Sequence, residues 1–62
     1  CKAGDHACFC KGKAAGYYAD TTTSCSNYYN CWSSGSAYQP CPSGLKWNSA
    51  ANYCDWAANV KC

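Results

Sequence analysis

Cys41-Pro42-Ser43-Gly44-Leu45-Lys46-Trp47-Asn48, then Ser49-Ala50-Ala51, then Asn52-Tyr53-Cys54-Asp55-Trp56, is the stretch that decides the architecture. Leu45 to Asn48 and Asn52 to Trp56 have strand length and aromatic content, and three small residues separate them. Asparagine flanks the turn on both sides, where its side chain can bond the backbone and tolerate unusual dihedrals. The reading is a β-hairpin. Alternation along a strand puts Tyr53 and Asp55 on one face and Cys54 on the other, with Leu45 and Trp47 inward. Trp56 shares the parity of Cys54, so it is exposed only if the strand ends there and frees the ring.

Upstream the same logic gives three more strands. Tyr17 and Tyr18 follow Gly16 and run into Asp20 and the polar segment Thr21 to Ser24, a turn signal that ends a strand near Asp20. Cys25 to Cys31 and Ala37 to Pro40 pair around a turn at Ser33 to Ser36. Cys1 to Cys10 hold three cysteines and no alternation, and read as a stapled N-terminal loop. The one helical candidate, Ala57 to Val60, is a single turn, too short to be stable alone. The expected fold class is small, disulfide-rich and all-β.

Composition explains why staples are needed. Leu45 and Val60 are the only large aliphatic residues in 62, so the 48% hydrophobic content comes mostly from alanine, cysteine and aromatic residues. A chain this short buries too little surface to be held by a core alone. Eight cysteines, an even number, imply four disulfides and no spare thiol. Such bridges persist in oxidising compartments, which points to a secreted, extracellular protein, with no apolar run long enough to insert in a membrane. A net charge of +2, without arginine or a basic run, argues against a nucleic-acid partner.

Catalytic chemistry is poorly supplied. Asp5, Asp20 and Asp55 are the only carboxylate side chains, and each reads as a solvated turn or surface residue. A glycosidase needs two carboxyls with separated pKa values across the scissile bond. His6 with Cys8 and Cys10 could be drawn as a metal site, but the spacing is not a Cys-x-x-Cys pair and oxidation of these thiols is expected. The expectation is no enzyme, no metal and no cofactor. Ten aromatic residues cannot all be buried in so small a domain, and exposed rings suit the flat faces of pyranose sugars, with Asn48, Asn52 and Asp55 beside Trp47, Tyr53 and Trp56 to meet hydroxyl and acetamido groups.

From Cys10 onward the spacing is Cys10-x14-Cys25-x5-Cys31-x9-Cys41-x12-Cys54-x7-Cys62, with Gly16-Tyr17-Tyr18-Ala19-Asp20, Tyr28-Tyr29-x-Cys31, Cys41-Pro42-Ser43-Gly44-Leu45-Lys46-Trp47-Asn48 and Cys54-Asp55-Trp56 in register. This resembles the peritrophin-A chitin-binding domain, also called type 2 or carbohydrate-binding module family 14, over about five-sixths of the chain. The resemblance implies a distorted β-sandwich of a three-stranded antiparallel sheet plus a two-stranded C-terminal hairpin, and non-catalytic binding of chitin or N-acetylglucosamine oligomers. It also implies the disulfides Cys10–Cys31, Cys25–Cys62 and Cys41–Cys54, leaving Cys1 to pair with Cys8. From the residues alone, Cys8 could take the place of Cys10 among 105 pairings.

The same resemblance puts the ligand face on Asn48, Tyr53, Asp55 and Trp56; among the remaining aromatics, Trp32 and Tyr38 are candidate accessory contacts. Tyr17, Tyr28 and Trp47 are expected to be packing residues. Ala57 stands where the family often has proline, which is expected to loosen that loop. Residues 1–62 are then one domain, an N-terminal stapled extension (1–9) on a family-like core (10–62), acting as a monomer or as one module of a larger secreted protein. The alternative function is a cationic, cysteine-rich host-defence peptide, which the low charge and the lack of a basic amphipathic stretch disfavour. A toxin or protease inhibitor would need a reactive loop that is not recognisable here.

Overall fold

A computed structural model describes residues 1–2 and 4–62. Strands β1 (Gly16–Ala19), β2 (Asn27–Trp32) and β3 (Gly35–Pro40) form an antiparallel sheet in that order, and β4 (Leu45–Asn48) and β5 (Tyr53–Trp56) form a separate antiparallel hairpin. The small all-β, disulfide-rich architecture expected from the sequence is the observed one. The turn between β2 and β3 is tighter than expected, with only Ser33 and Ser34 outside the ladder.

The N-terminal segment is not simply a loop. His6–Phe9 form one turn of helix, α1, in whose first turn the Asp5 carboxylate accepts from the Cys8 backbone N–H. A single turn has no apolar period to read, and it is marginal without packing, which the sheet supplies here. Register places Tyr18, Tyr29 and Tyr38 directly opposite one another across the three strands. Phe9 stacks on Tyr29 at 3.8 Å between centroids and meets Tyr18 edge-on at 5.8 Å, so α1 closes this face of the sheet.

The other face carries Tyr17, Tyr28, Asn30 and Trp32 by alternation, and the hairpin docks against part of it. Trp47 stacks on Tyr28 at 4.2 Å and leans on Tyr17 at 5.2 Å, while the Trp47 backbone N–H donates to the Cys25 carbonyl. Cys25, Tyr29, Cys31 and Trp47 are the buried core, so sulfur and aromatic rings replace aliphatic packing as the composition required. The bridges are Cys1–Cys8, Cys10–Cys31, Cys25–Cys62 and Cys41–Cys54. Cys10 thus takes the partner that the residues alone left open between it and Cys8.

The corner between β1 and β2 differs from expectation in one respect. Asp20, read as a solvated turn residue, is only 3% exposed. It caps the 3₁₀ turn Thr21–Thr23, accepting from the Thr22 backbone N–H and hydroxyl, and it accepts a short hydrogen bond from the Tyr38 hydroxyl. Burial pushes its carboxyl up, but the Thr22 and Tyr38 hydroxyls and the Thr22 N–H outweigh that and hold it below the ordinary carboxylate value. Burial and the Asp20 carboxylate raise the Tyr38 phenol in turn.

Candidate functional site

The hairpin turn is built by its asparagines. Asn48 Oδ1 accepts from the backbone N–H of Ala50 and Ala51, and Asn52 adopts φ 59°, the left-handed conformation that asparagine tolerates better than most residues. Asn52 therefore belongs to the turn, and β5 begins at Tyr53. With the turn fixed, Asn48 pairs with Tyr53, Lys46 with Asp55, Trp47 with Cys54 and Leu45 with Trp56.

Since Trp47 points at the three-stranded sheet, Lys46, Asn48, Tyr53 and Asp55 occupy the opposite, outward face. Tyr53 is 54% exposed, and its hydroxyl has no protein partner among the described residues. Asn48 spends its carbonyl on the turn and keeps its amide N–H₂ to donate. Asp55 accepts from the Trp56 backbone N–H at 2.8 Å through Oδ1, which leaves Oδ2 as an acceptor. The Lys46 ammonium donates to the Ser24 carbonyl at 2.7 Å, tying the hairpin to the corner after β1.

Trp56 lies by register on the Trp47 side, yet it is 64% exposed. It sits opposite Leu45 at the open end of the hairpin, where the chain leaves the strand for the 3₁₀ turn Ala57–Asn59. The strand end frees the ring. At Ala57 the backbone N–H donates to the Gly44 carbonyl at 3.2 Å, a bond that a proline could not make.

The two accessory candidates part company. Trp32, at the end of β2, is 44% exposed. Tyr38 is held in the fold, its ring against Gly4 and Tyr29 and its hydroxyl donating to Asp20 and accepting from Asn27. Tyr17, expected to pack, packs on Trp47 and still leaves 47% of its surface exposed. Alternation with Tyr18 signals that these neighbours face opposite ways. Which face would be covered depends on Phe9, eight residues upstream of Tyr17, and could not be read locally.

His6 hydrogen-bonds the Ser36 hydroxyl through Nδ1 at 2.7 Å and Cys10 is bridged to Cys31, so these two tie the N-terminal segment to the sheet, while Cys8 is bridged to Cys1 within the extension. Among the described residues no concave pocket is present, and the outward face of the hairpin is an open surface of rings, amide and carboxylate.

The sequence model of the chitin-binding peritrophin-A domain matches residues 10–62. The chain belongs to that family. It is therefore a non-catalytic carbohydrate-binding module. It is 41% identical over 51 residues to a probable chitinase 10 of Drosophila melanogaster, covering 81% of this chain and 2% of that protein. It is 44% identical over 46 residues to peritrophin-1 of Anopheles gambiae, covering 73% of this chain and 30% of the relative. The chain thus spans less than a third of each relative's length. No solved structure matches it significantly.

Proposed function

We propose that this peritrophin-A domain binds chitin or N-acetylglucosamine oligomers through the outward face and open end of its C-terminal hairpin. Tyr53 and Trp56 offer rings for stacking against pyranose faces, the Asn48 amide donates, and Asp55 Oδ2 accepts from hydroxyl or acetamido N–H groups. The observation that carries this reading is the pairing of two strongly exposed rings with an amide and a carboxylate whose remaining hydrogen-bonding atoms are unspent, on a hairpin braced by the Cys41–Cys54 bridge. Binding on a rigid strand pair costs little ordering entropy, which favours affinity from a small contact area.

The domain works outside the cell as a monomer or as one module of a longer secreted protein, without inserting in a membrane; its four disulfides suit an oxidising compartment. Residues 1–62 act as one unit, with the stapled extension 1–9 supporting the core.

Depletion of the oxidised protein by chitin beads, with cellulose beads and a reduced sample as controls, tests this. Retention on chitin only, strongly reduced by Tyr53→Ala or Trp56→Ala with all four bridges intact, is expected. Unchanged retention of both variants would place the site elsewhere.

A further inference from the structure

Among the described residues four large aromatics are strongly exposed, and two of them are on the hairpin. The other two, Tyr17 and Trp32, lie on the same face of the three-stranded sheet, two ladder positions apart on neighbouring strands. Such diagonal neighbours have Cα atoms about 7–8 Å apart, within reach of a common flat ligand.

Between them is Asn30, half-buried and directly opposite Tyr17. This repeats the hairpin, where half-buried Asn48 is directly opposite exposed Tyr53. The chemistry also repeats. Among the described residues the Asn30 side chain and the Tyr17 hydroxyl have no protein hydrogen-bond partner, whereas Tyr18, Tyr29 and Tyr38, on the covered face, all spend their hydroxyls on protein atoms.

The ground around these residues is low. Ala37 lies opposite Asn30 and Gly35 opposite Trp32. A Cβ on Gly35 would come within 3.2 Å of the Trp32 indole, so the ring rests close against the glycine and stays 44% exposed. A flat ring on a shelf of small residues, beside a tyrosine and a free amide, has the form of a sugar platform rather than of a docking site for an apolar helix, which would need a groove.

We infer that Tyr17, Asn30 and Trp32 form a second platform for N-acetylhexosamine rings of a β-linked polymer, separate from the hairpin. Its ligand class rests on the chitin-binding reading, but its location does not depend on the hairpin being a site. Two platforms on one domain let a polymer surface hold the protein at two points, which raises retention on insoluble chitin beyond what either gives alone.

The test uses the full oxidised chain and N-acetylchitohexaose, with Trp32→Ala, Trp32→Tyr and Tyr53→Ala variants. The Trp32 indole N–H resonance should move on titration in the wild type and in Tyr53→Ala, and Trp32→Ala should weaken binding to chitin beads about three- to tenfold, with Trp32→Tyr recovering most of the loss. An indole resonance that stays fixed at saturating hexaose, or an unchanged affinity of folded Trp32→Ala, overturns the second platform. If Tyr53→Ala binds like wild type while Trp32→Ala is weakened, the hairpin reading fails and the sheet platform stands.

Discussion

The two faces of the three-stranded sheet carry nearly the same residues and have opposite fates. One face has the row Tyr18, Tyr29, Tyr38; the other has Tyr17, Tyr28 and Trp32, and the sequence places them as adjacent pairs at 17–18 and 28–29. On the first face every tyrosine hydroxyl is engaged, Tyr29 accepting from the Gly4 N–H, Tyr18 donating to the Ala14 carbonyl and Tyr38 donating to Asp20. On the second, Trp47 covers Tyr28 and part of Tyr17 and leaves the rest open. Residue type does not distinguish an aromatic that packs from one that can bind; cover does. The N-terminal extension provides that cover on one side, while the hairpin, on the other, both covers the sheet and presents rings of its own.

The comparison predicts that the bridges differ in weight. Cys25–Cys62 closes 37 residues and fastens the chain's end to the corner from which the hairpin hangs, whereas Cys1–Cys8 closes 7 residues within the extension. Replacing Cys25 and Cys62 by serine should cost about 4 kcal/mol and abolish chitin retention through unfolding, and replacing Cys1 and Cys8 should cost about 2 kcal/mol and leave retention intact. Thermal unfolding monitored beside bead retention checks both; equal losses would show that the extension is not the secondary staple described here.

Phe9→Ala should sharpen the contrast, removing the ring stacked on Tyr29 and costing about 2 kcal/mol, less than a fully buried phenylalanine because Phe9 is only half-buried. Its affinity for chitin at a temperature where it remains folded should equal wild type. Tyr53→Ala should do the reverse, shifting stability by no more than about 0.5 kcal/mol while retention falls sharply.

Acid should act on the covered side of the sheet. Asp20 has a folded-state pKa below its ordinary value, so its contribution is present above that value and is lost as pH falls through the lowered one. Asp20→Asn should therefore be less stable than wild type at neutral pH, with the difference narrowing in acid; a constant difference in melting temperature from neutral pH to pH 2 would contradict the linkage. The smallest effect belongs to Ala57→Pro. A stiffer turn gains about 0.4–1 kcal/mol, and loss of the bond to Gly44 removes about 0.5–1.5 kcal/mol, so the melting temperature should change little or fall slightly.

How much of this was legible follows from range. The hairpin was readable because its turn chemistry, strand lengths and alternation all lie within Leu45 to Trp56, and the cysteine spacing carried the family and with it the bridges. Asp20 misled because a turn aspartate looks solvated until its partner Tyr38, 18 residues on, closes over it. The helix His6–Phe9 left no periodic signal, and without it the covered face could not be told from the open one. Trp56 was ambiguous because parity and strand end give opposite answers, and the end prevails.

The most direct measurement is a backbone amide titration of the isotopically labelled, oxidised domain with N-acetylchitotriose. The account predicts that the largest shifts fall on Asn48 and on Tyr53 to Trp56, with His6 to Phe9 and Tyr38 unmoved. Largest shifts on α1 and β3, with the hairpin silent, would contradict it.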